Sequence, residues 1–262
     1  MNRKLLFFDI DGTLLSENGI PDSTKQALAE ARQKGCMLFV NTGRTWVSIP
    51  AKIRELDFDG YVCGCGTNIY YKGSRIFSSG ISNERCKEVA KRIRQMDIPV
   101  FYEADDAIYF DYQSAASDPW ICHAREAFET EGKDLDELLN SENLVYDKIL
   151  MVLKPSREEE RLKEFLSEDF ECIDRQNDMW EVTQKNCSKA TGIRFLCEYL
   201  GASAADCYVF GDSENDRSML EAVPNSVVMG NGEESVKQCC SYVTADLEDD
   251  GIWKAMKHFH LV

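Results

Sequence analysis

The sequence predicts a doubly wound α/β fold, a parallel sheet covered by helices on both faces, with a second domain inserted into it. Short unbroken apolar runs recur, which is typical of strands buried on both faces of a parallel sheet. Amphipathic segments with helical spacing lie between them, as in βαβ units. One interval of 147 positions, from Thr42 to Lys189, is far longer than a single crossover needs. At 262 residues the chain is long enough for a core of about 160 residues and an insertion of about 100.

The core strands are predicted from these apolar runs in chain order. They cover residues 4–9, 37–41, 60–63, 207–211, 226–229 and 242–243. A helix over residues 23–34 connects the first two strands, because only 33 positions separate Asp9 from Thr42. No domain fits in that first connection.

The first strand delivers two acids to its carboxyl end. Asp9 and Asp11 follow the apolar run at a spacing of two, which in extended backbone points both side chains the same way. Gly12 and Thr13 then allow a sharp turn and offer backbone donors to an anion. Two carboxylates at one place repel each other unless a cation lies between them, and Mg²⁺ fits this role. The alternative is an ordinary Asx turn at a strand end.

Two further polar segments follow strands, and a third polar site opens a helix. The second strand ends in Asn41-Thr42-Gly43-Arg44, where the Thr42 hydroxyl and the following amides are candidate phosphate ligands. Lys189 follows Ser188, a candidate cap for an amphipathic helix, although a lysine in a first helical turn is usually only solvated. The segment after residue 210 brings Asp212, Asn215 and Asp216 into one loop. Such a loop favours metal binding, with a capping loop as the alternative.

The insertion is placed at residues 82–183, after a hairpin-like segment and a linker at 78–82. The catalytic core is then formed by residues 1–81 and 184–262. Within the insertion, the sequence predicts helices over 83–95 and 157–166. It also predicts strands over 99–104, 107–112 and 146–153, and a pair of closing strands over 170–175 and 179–184.

Four motifs in order, DIDGTLL, NTGR, the lysine of NCSKATG and GDSENDRSML, resemble the haloacid dehalogenase (HAD) superfamily. Within it the chain resembles the Cof-type branch, also called HAD-IIB, over almost its whole length. The resemblance implies a HAD-like Rossmannoid core with a doubly wound parallel sheet. It also implies an inserted α+β cap that closes over the site and selects the substrate.

The resemblance also implies roles for individual residues. Asp9 would be the nucleophile that becomes an aspartyl phosphate, and Asp11 would be the general acid and base. Magnesium would be held by a carboxylate oxygen of Asp9, the backbone carbonyl of Asp11 and a carboxylate oxygen of Asp212. Asp216 would act through water or through hydrogen bonds to the other ligands.

The remaining groups would hold the phosphoryl group. Thr42 and the Gly43 amide would bind its oxygens, Lys189 would neutralise it and fix Asp9, and Asn215 would add a hydrogen bond. Arg44 is a candidate contact to the substrate or to the cap.

The resulting hypothesis is a Mg²⁺-dependent phosphatase that hydrolyses a small phosphorylated metabolite, with a sugar phosphate as the expected substrate. One alternative is a phosphomutase that uses the same nucleophile. Another is a catalytically weak phosphate-binding or regulatory protein, whose expected sign would be the loss of Asp9, Asp11 or Lys189. Two departures from the branch stand out, Ala190 in place of the usual glycine and Cys65-Gly66 in place of Asn-Gly. The second departure puts substrate preference in doubt more than activity.

Composition excludes some classes of partner. The net charge of -16 argues against nucleic acid and anionic membranes, which need basic patches. Eleven cysteines without a CxxC motif fit reduced buried thiols in a cytoplasmic protein better than disulfides or metal ligands. The sequence has neither a signal-peptide pattern nor a segment long enough to span a bilayer, and it does not indicate an oligomeric state.

Overall fold

The computed structural model describes residues 3–113, 119–127, 132–175 and 178–262. Its strands are, in chain order, β1 (Leu5–Phe8), β2 (Met37–Asn41), β3 (Gly60–Cys63), β4 (Asn68–Tyr71), β5 (Ser74–Ser78), β6 (Val100–Ala104), β7 (Ile108–Phe110), β8 (Gly132–Asp134), β9 (Tyr146–Val152), β10 (Phe170–Asp174), β11 (Met179–Gln184), β12 (Cys207–Gly211), β13 (Asn225–Val228) and β14 (Tyr242–Val243). Its α-helices are α1 (Asp22–Gln33), α2 (Ala51–Arg54), α3 (Asn83–Gln95), α4 (Pro119–Ala127), α5 (Leu135–Asn140), α6 (Arg157–Leu166), α7 (Lys189–Leu200), α8 (Arg217–Ala222), α9 (Glu234–Lys237) and α10 (Gly251–His258).

The described residues form two compact units. The core unit comprises Met1–Gly43, Ala51–Phe77 and Ser188–Val262, and the inserted unit comprises Arg44–Pro50 and Ser78–Cys187. The segment Arg44–Pro50 therefore groups with the inserted unit, although Arg44 is the last residue of the NTGR motif that follows β2. The roles of catalytic core and cap, with their predicted boundaries, stay a prediction.

The core unit contains the predicted parallel sheet. Its strand order is β14-β13-β12-β1-β2-β3-β4-β5, and every pair from β14 to β3 is parallel, whereas β3 and β4 are antiparallel. All four residues of β1 are buried, as the unbroken apolar run predicts for a strand of a parallel sheet that is covered on both faces. The chain winds outward from β1 in one direction through β2 and β3, and from β12 in the other. This reversal places a ligand-binding switch point at the carboxyl ends of β1 and β12.

The inserted unit is built on a six-stranded sheet of order β10-β11-β9-β6-β7-β8. Its pairs are antiparallel except for β7 and β8, and β10 pairs with β11 as predicted. Side chains of α3, α5 and α6 pack with alternate residues of the sheet in one apolar cluster. The α/β fold with a doubly wound parallel sheet and an α+β insertion is thus confirmed.

Candidate active site

The site begins where β1 ends. Asp9 follows directly after Phe8, its amide donates to the Phe210 carbonyl at 3.0 Å, and its side chain is buried. Phe8 pairs with Phe210 on one side and with Val40 on the other, so Asp9 emerges from the centre of the sheet. Asp11, two positions later, is exposed. Both acids lie beyond the last residue of β1, where the alternation of an extended strand no longer applies. Their side chains therefore differ in burial.

The turn after Asp9 fits around the side chain of Asp212. Gly12 has a φ of +82°, and a Cβ at this position would lie 2.4 Å from Asp212 Oδ2. Only glycine satisfies both conditions. The buried Thr13 hydroxyl then donates to Asp212 Oδ1 at 2.6 Å. The turn that follows β1 therefore orients Asp212, which is 199 positions from Thr13 in the sequence.

Lys189 opens α7 and is fully buried. The helix begins with the predicted cap: Ser188 accepts from the Thr191 amide, and the Thr191 hydroxyl accepts from the Ser188 amide. From the first turn, Lys189 Nζ reaches Asp9 Oδ1 at 2.7 Å and Asp216 Oδ1 at 2.5 Å. It is therefore an ion-pair partner of two buried acids and not a solvated lysine.

Asp216 and Asn215 complete the polar contacts of Lys189. The second carboxylate oxygen of Asp216 accepts from the amides of Asp212 and Ser213, at 2.9 and 3.1 Å. Asn215 Oδ1 accepts from Lys189 Nζ at 3.2 Å. Asp216 is thus held by a lysine and two backbone donors, which suits a residue that organises its neighbours.

The predicted phosphate-binding residues lie at the end of β2. Thr42 is buried, its amide donates to the Val62 carbonyl, and its carbonyl accepts from the Cys65 amide. A Cβ on Gly43 would lie 3.7 Å from Asn215 Nδ2 and 3.4 Å from Cys65 Sγ. Gly43 is therefore close to both of these side chains. In the inserted unit, Arg44 Nη1 donates to the Ser48 carbonyl at 2.9 Å.

Three of these carboxylates form a cluster that could hold a metal ion. Asp9, Asp212 and Asp216 each place an oxygen within 4.8 Å of the others. Burial raises the pKa of Asp9 to about 8; Lys189 opposes this shift and Asp216 adds to it. Burial likewise raises the pKa of Asp212 to about 6, against the hydrogen bond from Thr13. Burial alone would lower the pKa of Lys189, but Asp216 and Asp9 raise it overall. Three acids share one ammonium group, so the cluster has an excess of negative charge.

Two asparagines support the site without having been predicted to do so. Asn41 Nδ2 donates to the Lys189 carbonyl at 3.1 Å and ties the end of β2 to the start of α7. Asn231 Nδ2 donates to the Gly12 carbonyl at 2.9 Å, while its Oδ1 accepts from the Leu247 amide. Thr13 was also missed as an orienting residue. Asn41 lies next to Thr42 in a predicted motif, whereas only the fold brings Asn231 to Gly12.

A buried nucleophile candidate, a lysine paired with it and a carboxylate cluster at the edge of a doubly wound sheet define a hydrolase of phosphoryl-transfer type. Residues 6–256 match the model of the haloacid dehalogenase-like hydrolases, and the chain belongs to this family. The recognition of the superfamily from its motifs is thereby confirmed.

Individual relatives agree with this assignment. The chain is 27% identical over 238 residues to the HMP-PP phosphatase of Yersinia pseudotuberculosis, covering 90% of this chain and 86% of that protein. A solved HAD subclass IIB sugar phosphatase, BT4131, is 32% identical with a TM-score of 0.79, covering 99% of this chain and all of the other. A structure from work on a trigonal-bipyramidal intermediate in a phosphoryl-transfer superfamily is 31% identical with a TM-score of 0.80, and both chains are fully covered. The protein is a phosphatase of the HAD superfamily.

No helix within the described parts of the chain has the length and apolar character needed to cross a membrane.

Proposed function

We propose that this phosphatase is magnesium-dependent and hydrolyses a small phosphorylated metabolite through an aspartyl phosphate on Asp9. The observation that carries the proposal is the setting of Asp9. Its carboxylate lies at the end of the central strand, 2.7 Å from the buried Lys189 ammonium and within a cluster of three acids.

In the first step, an Asp9 oxygen attacks phosphorus and the bond to the substrate oxygen breaks. Lys189 favours the ionised form of Asp9 and orients its carboxylate, and it offsets negative charge on the transferring group. Thr42, the Gly43 amide and Asn215 bind the phosphoryl oxygens. Asn215 is suited to this role because its Oδ1 accepts from Lys189, which leaves Nδ2 as the donor near Gly43.

Asp11 acts as the acid and then as the base. It protonates the leaving oxygen, and afterwards it removes a proton from the water that attacks the aspartyl phosphate. Its exposure agrees with exchange of protons with solvent between the two steps. The phosphate is released and Asp9 returns to its free carboxylate.

The donor set fits a hard divalent cation such as Mg²⁺. Asp9, Asp212 and the Asp11 carbonyl would hold it with oxygen ligands, which Mg²⁺ prefers. Burial raises the pKa values of Asp9 and Asp212, and the neighbouring carboxylates add to both shifts, so a bound cation would favour the ionised form of each acid. When bound, the cation supplies Lewis-acid stabilisation of the phosphoryl oxygens. Asp216 would act through its bonds to Lys189 and the Asp212 amide.

We assign substrate selection to the inserted unit and propose a sugar phosphate as the substrate class. One relative is named a sugar phosphatase, and another is named an HMP-PP phosphatase. Both names support a small phosphate ester, and neither relative exceeds 32% identity to this chain. We place the reaction in the cytoplasm, where reduced cysteines persist.

The experiment is a phosphate-release assay on sugar phosphates, nucleotides, phosphorylated cofactors and one aryl phosphate, each with and without Mg²⁺. We expect release that requires the metal and is fastest with a sugar phosphate. Release without metal would overturn the metal requirement, and a nucleotide as the best substrate would overturn the substrate class. A mutase would instead convert a sugar phosphate to its isomer, require a bisphosphate activator and release little phosphate.

A further inference from the structure

Two cysteines of the core unit lie in direct contact. Cys197 is in the third turn of α7 and Cys207 is the first residue of β12, and their sulfur atoms are 3.3 Å apart. The relative exposure is 8% for Cys197 and 0% for Cys207. Both thiols are free, and both belong to the apolar cluster beneath the core sheet. The sulfurs would need to approach by little more than 1 Å to reach the length of a disulfide, about 2.05 Å.

We propose that Cys197 and Cys207 form a reversible disulfide when the protein meets a hydroperoxide. In the first step the Cys197 sulfur attacks a peroxide oxygen, which gives a sulfenic acid and releases water or an alcohol. In the second step the Cys207 sulfur attacks the sulfenic sulfur, and the hydroxyl group leaves with the Cys207 proton as water. The peroxide is reduced by two electrons and the thiol pair is oxidised by two. A dithiol reductant reverses the reaction.

The order of the two steps follows from exposure and hydrogen bonding. Cys197 is the less deeply buried member, with a relative exposure of 8% against 0% for Cys207, so it is the thiol nearer to solvent. The sulfur contact with Cys207 lowers the pKa of the Cys197 thiol, and the same contact raises the pKa of Cys207. The thiolate is the form that reacts, which favours Cys197 as the first site. Cys207 is already in contact and resolves the sulfenic acid.

The bond would join two elements that carry active-site residues, at the ends remote from the site. α7 begins at Lys189 and reaches Cys197 two turns later, whereas β12 begins at Cys207 and ends at Gly211, just before Asp212. A link there closes a short loop of ten positions and leaves both site-bearing ends in place. We therefore expect it to stabilise the core unit against unfolding and to leave turnover within about twofold.

The test exposes the wild-type protein to hydrogen peroxide, blocks the remaining thiols and digests it with trypsin and a protease that cleaves after glutamate. Trypsin alone leaves both cysteines in one peptide, residues 195–217, but cleavage after Glu198 separates them. We expect residues 195–198 to be joined to residues 199–214, and a dithiol to release them. In thermal unfolding, the oxidised protein should melt roughly 5 °C higher than the reduced one.

The matched variants are C197A and C36A. Cys36 is a core-unit thiol of the same 8% exposure, and it provides the control. C36A should still form the bond and show the thermal shift, whereas C197A should show neither. Oxidation of the wild type at other cysteines, with residues 195–198 and 199–214 left unlinked, would overturn the proposal. This result is independent of the phosphate-release assay, so the inference and the proposed function fail separately.

Discussion

The two units each hold a cluster of charged side chains around buried acids, and the two clusters differ in charge balance. In the core unit, Asp9, Asp212 and Asp216 form one cluster, and a single lysine, Lys189, pairs with Asp9 and Asp216. In the inserted unit, two acids face two bases. Lys148 Nζ lies 2.9 Å from Glu103 and 3.3 Å from Glu181, and Arg175 Nε is 2.6 Å from the other Glu181 oxygen, as these residues extend from neighbouring strands of one sheet.

The pKa shifts of the buried carboxyl groups reflect this difference in charge balance. Burial would raise the pKa of Glu181, but Lys148 and Arg175 lower it overall. Burial raises the pKa of Asp9 to about 8, and one lysine does not compensate for it. Both residues are buried acids in contact with a cation, so burial alone does not explain why their pKa values shift in opposite directions. The balanced cluster needs no further charge, whereas the cluster with more acids than bases suits a bound cation and is therefore the functional candidate.

The largest effect on turnover is expected from replacing the proposed nucleophile, Asp9, in the unbalanced cluster. D9N keeps the size of the side chain and removes one negative charge from the unbalanced cluster. We expect turnover to fall by roughly 10⁴-fold or more, because the covalent step is lost, while the fold and thermal stability are retained. Steady-state assays measure turnover, and circular dichroism measures the fold and the melting temperature. Activity near the wild-type level would refute the role of Asp9.

Replacing the lysine of each cluster by methionine tests whether the clusters differ in function. K189M should lower turnover by about 10³-fold, since Asp9 and the phosphoryl group lose their cation. K148M leaves Glu103 and Glu181 buried with one base and should lower the free energy of unfolding by about 3 kcal/mol. Its turnover of an aryl phosphate should stay within about threefold of the wild type. A large loss of turnover without a loss of stability in K148M would mean that the balanced cluster also binds substrate.

A smaller effect is expected from T13V, which removes the 2.6 Å hydrogen bond to Asp212. An acid that is less firmly oriented should bind Mg²⁺ about 10-fold to 100-fold more weakly, with a smaller change at saturating metal. A Mg²⁺ titration of activity measures this shift. T244V is the matched control, because Thr244 is also buried and donates at 2.7 Å to the Gly251 carbonyl. Equal metal affinity in T13V and the wild type would contradict the orienting role.

The smallest predicted effect is the pH dependence of the protein's thermal stability. In the metal-free folded protein the pKa of Asp9 is about 8 and that of Asp212 about 6, against an ordinary value of 3.8. Between pH 4 and 8 the folded state therefore holds protons that the unfolded chain has released, so stability is lost as the pH rises through this window. We expect metal-free protein to melt a few degrees lower at pH 8 than at pH 5. Mg²⁺ should stabilise more at pH 8.

A variant isolates the contribution of the cluster to this pH dependence. D9N lacks the acid with the more strongly raised pKa, so its melting temperature should change less between pH 5 and pH 8 than that of the wild type. If the melting temperature changed equally with pH in D9N and in the wild type, the loss of stability would come from the other acids of the chain.

Local sequence patterns predicted much of the fold. Strands β2, β3 and β12, with helices α3 and α6, have the predicted bounds, because each is an unbroken apolar run or a capped amphipathic segment. Helix α4 was missed, and the acidic stretch of residues 129–137, where α5 begins, indicated only a solvated helix or loop, although Leu135 and Leu138 are buried. α5 has six residues, and its cap, Asp134, lies in an acidic stretch that resembles a solvated loop.

The site was predictable where motifs are contiguous and unpredictable where the fold joins distant residues. Asp9, Asp212, Asp216 and Lys189 follow from their motifs, and the structure brings them together. The contact of Asn231 with Gly12 joins residues 219 positions apart, and no local pattern indicates it. The difference in burial between Asp9 and Asp11 also needed the structure, because it depends on where β1 ends.

Trapping the phosphorylated intermediate would show whether Asp9, inside the unbalanced cluster, is the nucleophile of this phosphatase. An aryl phosphate is mixed with enzyme and Mg²⁺, quenched in acid within milliseconds, and the tryptic peptide of residues 5–25 is weighed. We expect a mass gain of about 80 Da, one phosphoryl group, located on Asp9 and absent from D9N. Turnover with no phosphorylated peptide at any quench time, or phosphorylation located on another residue, would contradict the account.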